Sequence, residues 1–158
     1  MFENCKYGES FVIAEVGQNH QGDIELALRY VDEFSERGAD AIKFQARENK
    51  YLFSEEAYAH PYNSENAFGE TYGEHREALE LSADDFSRIK RRCTEKGVAF
   101  MATPFDEPSL EFLLQINVDV LKVASFDLGN LPFINLVAKS GKPTVMSVGG
   151  GNFSQIKS

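Results

Sequence analysis

Short apolar runs alternate with stretches whose apolar residues recur every three or four positions, and the pair repeats along the whole chain. The strand-like runs cover residues 11–16, 41–45, 98–105, 118–125 and 143–148. Between them, Gly22-Asp23 caps a predicted helix whose Leu26, Tyr30 and Phe34 recur every four residues, with Ala27 and Val31 beside them, up to Gly38. Ser82-Ala83-Asp84-Asp85 resembles a capping box before a helix with Phe86, Ile89 and Cys93 on its buried stripe, stopped by Gly97. Residues 106–115, with Pro108 in the first turn, and residues 131–140, stopped by Gly141, complete the pattern. Five strands of near-continuous apolar character predict a parallel sheet covered by helices.

Two of these runs carry a lysine. In Ala41-Ile42-Lys43-Phe44-Gln45, alternation puts Lys43 on the face of Ala41 and Gln45. In the run 118–125, Lys122 shares a face with Val118, Val120 and Ala124. An unpaired ammonium enclosed there costs several kcal/mol, so the site must supply an anion. Two readings follow: the lysines pair internally with Glu15 or Asp127, or they receive a phosphorylated or carboxylated ligand.

Glu15, Lys43 with Gln45, Thr103, Lys122 with Ser125, and Ser147 all fall at or near the C-terminal ends of their strands. Parallel α/β folds assemble their sites on that rim. Residues 46–81 follow the second strand without sustained periodicity, yet carry six aromatic residues and many acids. A long loop there is expected to overhang the rim as a lid, the alternative being an acidic surface insertion. Its acidity predicts a poor fit for a second phosphate on any sugar substrate.

The 158 residues are 42% hydrophobic, enough for one domain with its own core. Sixteen basic against twenty-five acidic residues give a net charge of -9, with no lysine- or arginine-rich run, which argues against nucleic-acid binding. Cys5 and Cys93 stand far apart in no metal-like or redox-like spacing and read as reduced thiols. No apolar run approaches the ~20 residues of a membrane span, and the first residues lack a leader pattern. A cytoplasmic protein without membrane contact is the expectation, so Asn152-Phe153-Ser154 carries no glycosylation meaning.

The blocks Ala14-Glu15-Val16-Gly17-Gln18-Asn19-His20-Gln21-Gly22-Asp23 and Gly38-Ala39-Asp40-Ala41-Ile42-Lys43-Phe44-Gln45 resemble the N-acetylneuraminate (sialic acid) synthase family. So do Thr71-Tyr72-Gly73-Glu74-His75-Arg76, Lys122-Val123-Ala124-Ser125 and Asn130-Leu131-Pro132, in the family's order and separation. Synthases of legionaminic and pseudaminic acid share much of this pattern, and Gln18-Asn19-His20 favours the sialic and legionaminic side. The resemblance implies a TIM-type (β/α)8 barrel, of which this chain holds about the first five βα units. A closed barrel takes ~250 residues. Residues 1–158 are therefore expected to be the N-terminal portion of a phosphoenolpyruvate-condensing barrel, without the family's C-terminal antifreeze-like domain.

By the same resemblance, phosphoenolpyruvate condenses with N-acetylmannosamine or a related N-acylated amino sugar to give a nonulosonate and phosphate. Lys43, Thr103, Lys122, Ser125 and Ser147 would hold phosphoenolpyruvate. Gln45 would line the sugar side, and Glu15 and Asp127 would act as the catalytic carboxylates. The family's divalent metal, manganese or magnesium, is held by two histidines outside this chain, so His20, His60 and His75 are not assigned as ligands, and His20 and His75 are expected to orient loops. A homodimer is the expected assembly. The chain departs from the family pattern in two places: Phe126-Asp127 follows Ser125 where many relatives have Gly-Glu, and Ser147-Val148-Gly149-Gly150-Gly151 replaces Ser-Thr-Gly-Met. The alternative to an enzyme segment is a truncated, non-catalytic module that binds anions or self-assembles.

Overall fold

The computed structural model describes residues 10–157; Cys5 and the rest of the N-terminal stretch lie outside the described residues. Its elements in chain order are β1 (Ile13–Gly17), α1 (Ile24–Glu36), β2 (Ala41–Ala46), α2 (Asn49–Leu52), α3 (Glu55–Ala59), α4 (Tyr72–Glu77) and α5 (Ala83–Glu95). They continue with β3 (Ala99–Pro104), α6 (Glu107–Gln115), β4 (Val120–Val123), a 3-10 turn (Ser125–Gly129), α7 (Leu131–Lys139), β5 (Thr144–Met146) and α8 (Phe153–Lys157). The five strands are all parallel and lie side by side in the order β1-β2-β3-β4-β5, as in successive units of a barrel wall.

Local chemistry accounts for the boundaries. Asp23 accepts from the amides of Glu25 and Leu26 to start α1. Ser82 and Asp85 form a reciprocal capping box at α5. Asp106 caps α6, with Pro108 in the first turn where its missing N–H costs nothing. Asn130 caps α7 by accepting from Phe133 N.

The side chains of β2 to β4 sort cleanly between two faces. Ile42, Phe44, Ala46, Phe100, Ala102, Leu121 and Val123 pack against the buried stripes of α1, α5, α6 and α7, forming the main core. The alternate residues form layers on the opposite face, set by register. Glu15 pairs with Lys43, Lys43 with Met101 and Met101 with Val120. Two residues further on lie Gln45, Thr103, Lys122 and Val145.

Two expectations need revision. The core of α1 is Ala27, Leu28 and Val31, whereas Tyr30 and Phe34 stack on each other at 5.6 Å along its half-buried flank. A four-residue spacing drifts around the helix, and the smaller side chains are the ones that allow close approach to the sheet. The segment 46–81 is not structureless: it holds α2, α3 and α4 and an antiparallel bridge between Pro61 and Thr71. Its helices are too short for periodicity to reveal them, and α4 is instead fixed by a capping box between Thr71 and Glu74.

Candidate active site

The inward face meets solvent at the C-terminal ends of the strands. There Lys43 Nζ lies 2.6 Å from Glu15 Oε2, its partner in the strand register, with the lysine side chain only 13% exposed. Gln45 Nε2 donates to the other carboxylate oxygen at 3.3 Å. Of the two readings for Lys43, internal pairing with Glu15 is what the fold adopts. Lys122 differs, because it makes no ion pair with any described residue. Burial pushes its ammonium below the usual lysine range, Lys43 pushes it further, and only Glu15 pulls back. The inward face therefore carries two ammonium groups against one nearby carboxylate.

Thr103 is register partner to Gln45, and its buried Oγ1 has no partner. Ser125 opens the 3-10 turn after β4, while Ser147 follows β5 and is tied to β4 through Ser147 N donating to Val123 O at 3.0 Å. Ser125 and the backbone of Gly149, Gly150 and Gly151 line a cavity of about 340 Å³. A Cβ on Gly151 would fall 2.1 Å from Leu128 Cδ2, so the glycine run lets this loop lie against the 3-10 turn.

Asp127 stands apart from this group. It lies within the 3-10 turn with its side chain buried, where Oδ1 accepts from Asn130 Nδ2 at 3.1 Å and Oδ2 has no partner among the described residues. Burial pushes its carboxyl above the usual range. The fold thus brings Glu15, Lys43, Gln45 and Lys122 into one electrostatic unit, with Thr103 beside them, and keeps Asp127 occupied at the start of α7.

His20 and His75 have local duties. His20 Nδ1 accepts from Gly22 N at 3.1 Å, and burial pushes the ring below its ordinary pKa. His75 Nδ1 accepts from Phe68 N at 3.2 Å, with the ring stacked on Tyr62 and Phe68. Among the described residues no three His, Cys, Asp or Glu side chains are grouped as a metal site requires. These residues alone do not fit a divalent cation.

A second polar cluster adjoins the first and was not singled out from the sequence. Arg47 donates from Nη2 to Gln45 Oε1 at 2.6 Å and from Nη1 to Gln18 Oε1 at 2.7 Å. Arg76 Nη1 donates to the same Gln18 oxygen at 2.9 Å. Gln18 Nε2 donates in turn to Glu80 Oε1 at 2.7 Å, and Arg47 Nη1 lies 3.4 Å from that oxygen. Burial pushes the Glu80 carboxyl up to about 7 against the pull of both arginines. Gln18 and Arg76 lie inside the motif blocks already noted, which was the available signal; Arg47 lies two residues beyond Gln45 and had none.

A parallel sheet of successive βα units, with its polar residues at the C-terminal ends of the strands, defines the class of the (β/α)8 barrels. Residues 30–158 match the NeuB family, and the chain belongs to that family. It is 42% identical over 147 residues to N-acetylneuraminate-9-phosphate synthase of Homo sapiens, covering 93% of this chain and 41% of that protein. It is 35% identical over 148 residues to N,N'-diacetyllegionaminic acid synthase of Legionella pneumophila, covering 93% and 42%. The crystal structure of N-acetylneuraminic acid (sialic acid) synthetase from Leptospira borgpetersenii, in complex with citrate, superposes with a TM-score of 0.77 at 36% identity, covering 93% of this chain and 47% of that one. The chain thus spans about two fifths of the curated relatives it matches. No helix among the described residues is long and apolar enough to cross a membrane.

Proposed function

We propose that this chain supplies the phosphoenolpyruvate-binding half of a nonulosonate synthase, which condenses that substrate with N-acetylmannosamine or a related N-acylated amino sugar. One observation carries the reading: Lys43 and Lys122 share the inward face with a single carboxylate, Glu15, within reach of both charges. Phosphoenolpyruvate brings a phosphate and a carboxylate, which would neutralise the surplus ammonium and accept from Thr103, Ser125 and Ser147. Gln45 faces the sugar. The enol carbon attacks the open-chain aldehyde, the aldehyde oxygen takes a proton, and the cation left on the phosphate-bearing carbon is captured by water. Loss of phosphate from that carbon then leaves the keto acid. Glu15, held by Lys43 and Gln45 on the inward face, is the better placed carboxylate to direct the water; Asp127, the other candidate, is buried within the 3-10 turn and bonded to Asn130.

In this reading a manganese or magnesium ion would be held by residues outside these 158 and would supply Lewis-acid chemistry at the aldehyde. The protein works in the cytoplasm as a homodimer. The similarity to a human sialic-type synthase and a Legionella legionaminic-type synthase supports a product of one of those two kinds. A second reading, self-assembly without catalysis, draws on the outer strands β1 and β5, where Val12, Ile13, Met146 and Val148 are exposed.

Calorimetric titration of phosphoenolpyruvate into the 158-residue chain tests the first reading. Binding that falls at least tenfold in Lys122→Ala supports it. Absence of binding by the parent chain, or equal binding by the variant, would remove it. Sequencing the coding frame beyond Ser158 gives an independent check: two further histidines there would support the enzyme reading.

A further inference from the structure

We propose that Phe126 is a specificity-determining residue, whose exposed ring is the wall against which the acyl methyl of the amino sugar lies. The proposal rests on the function above and assigns one element of its acceptor recognition to a residue of this chain. Arg47, Phe105 and Phe126 follow the C-terminal ends of β2, β3 and β4, and they stack in that order across the rim. The Arg47 guanidinium carbon stands 4.4 Å over the Phe105 ring. Phe105 and Phe126 lie nearly parallel, 11° apart with their ring centres separated by 5.7 Å. Gln45 and Thr103 are register partners, so Arg47 and Phe105, each two residues further on, form the next layer above them. Phe105 N donates to Ala46 O at 3.1 Å and Arg47 Nη2 donates to Gln45 Oε1 at 2.6 Å, which fixes the column to the end of β2.

Phe126 is the outer member of the column and is 65% exposed. A lone apolar side chain on a surface is ordinary. This one differs in being held and in where it stands. Stacking on Phe105 fixes the plane of the ring, and the ring borders both rim cavities: the one beside Ser125, of about 340 Å³, and a second of about 290 Å³ shared with Leu52, Phe53, Tyr72 and Phe105. Phe53 meets Tyr72 edge to face at 5.2 Å, so the second cavity is walled largely by rings. Phe126 is also one of the positions at which the chain departs from the family pattern, where many relatives have glycine. The wall is therefore a property of this chain's side chains and not of the backbone it shares with them.

The chemistry of the acceptor says what such a wall receives. In the reaction proposed above the new bond forms at the aldehyde carbon, and the acylated nitrogen is carried by the carbon next to it. The acyl group must then lie beside the phosphoenolpyruvate site, and Phe126 directly follows Ser125. Every carbon of N-acetylmannosamine except the acetyl methyl bears oxygen or nitrogen. That methyl is the group that gains by leaving water for an apolar surface, and the flat amide behind it suits the face of a ring. A glycine in place of Phe126 would offer no surface to either.

The test is saturation-transfer NMR titration of the 158-residue chain with N-acetylmannosamine and with N-formylmannosamine, which keeps the amide and lacks the methyl. The acetyl sugar should bind at least about threefold more tightly, the worth of one buried methyl group, and irradiation of the aromatic protons should mark its methyl most strongly. Phe126→Tyr should keep both effects. Phe126→Gly should erase both, and Phe126→Leu, which cannot loosen the turn as glycine can, should keep part of the affinity difference while the methyl loses its lead under aromatic irradiation. Equal binding of the two sugars by the parent chain, no detectable binding of the acetyl sugar, or effects that survive in Phe126→Gly would overturn the proposal, because every residue of the wall belongs to this chain. If phosphoenolpyruvate fails to bind while the methyl is recognised through Phe126, the wall stands and the reaction proposed above falls. If phosphoenolpyruvate binds through Lys122 and the two sugars bind equally, the wall falls and the reaction stands.

Discussion

Lys43 Nζ and Glu15 Oε2 meet at 2.6 Å across neighbouring strands, in register, on the inward face of the sheet. The contact settles the charge of Lys43 within the protein and leaves Lys122 as the ammonium without an ion-pair partner among the described residues. Glu15 therefore serves both lysines, one by contact and one through space.

That arrangement makes Lys122 sensitive to Glu15. Its pKa already lies below 10.5, first because of burial and then because of Lys43. Glu15→Gln removes the only opposing influence and should lower it further, whereas Lys43→Met should raise it. The lysine Cε and Nζ resonances, followed by NMR through an alkaline titration, give the answer. In the parent chain the unfolded state binds more protons between the depressed pKa and 10.5, so this group makes stability rise with pH across that window. A pKa unmoved by Glu15→Gln would show that the carboxylate does not act on Lys122.

Glu80 gives the opposite slope at lower pH. Its carboxyl titrates at about 7 in the fold against 4.5 in an unfolded chain, so the folded state holds the extra proton between those values. Stability should fall as pH rises from 4.5 to 7, by on the order of 3 kcal/mol from this group. Glu80→Gln should flatten that decline, read from urea unfolding at pH 5 and pH 8. Parallel pH dependence in the two proteins would mean that Arg47 and Arg76 keep Glu80 charged throughout.

Asp106 holds the rim together. Its buried carboxylate accepts from Ser109 N at 2.7 Å, capping α6, and from Glu48 N at 2.7 Å, anchoring the start of the segment that follows β2. Asp106→Ala leaves both amides without this partner and should cost about 2–4 kcal/mol of unfolding free energy. Asp106→Asn, which keeps an acceptor oxygen, should recover part of the loss. A change below 0.5 kcal/mol in chemical denaturation, the level usual for exposed surface positions, would contradict the assignment.

Each of β1 and β5 has a single strand neighbour among the described residues, and apolar side chains stand exposed on or beside both. Unpaired strand edges of this kind recruit further strands. The 158-residue chain expressed alone should run as a dimer or larger species in size exclusion with light scattering. A sharp monomer peak with cooperative thermal unfolding would show that the edges are tolerated as they stand.

The buried thiol of Cys93 illustrates what local sequence conveys. Its place on the helical stripe with Phe86 and Ile89 marks it as core, and burial pushes its pKa up to about 12, which makes it a poor nucleophile at neutral pH. Periodicity, caps and glycine stops act over a few residues, so the order of strands and helices, the parallel sheet and the inward face of Lys43 and Lys122 were all legible in the sequence. The Asp23, Ser82 and Asp106 caps show this directly.

Only the tertiary structure decided the partners. Glu15 chose Lys43 over Lys122, and Asp127 turned to Asn130 instead of a lysine, because strand register and the path of the 3-10 turn set those distances. Arg47, Gln18, Arg76 and Glu80 meet across sequence separations of 29, 58 and 62 residues. No local pattern encodes such a meeting. A charged side chain reads the same on the surface as in a cavity until the fold removes its water, and desolvation, which raises the Glu80 pKa and lowers that of Lys122, is a property of the surroundings that the whole chain builds.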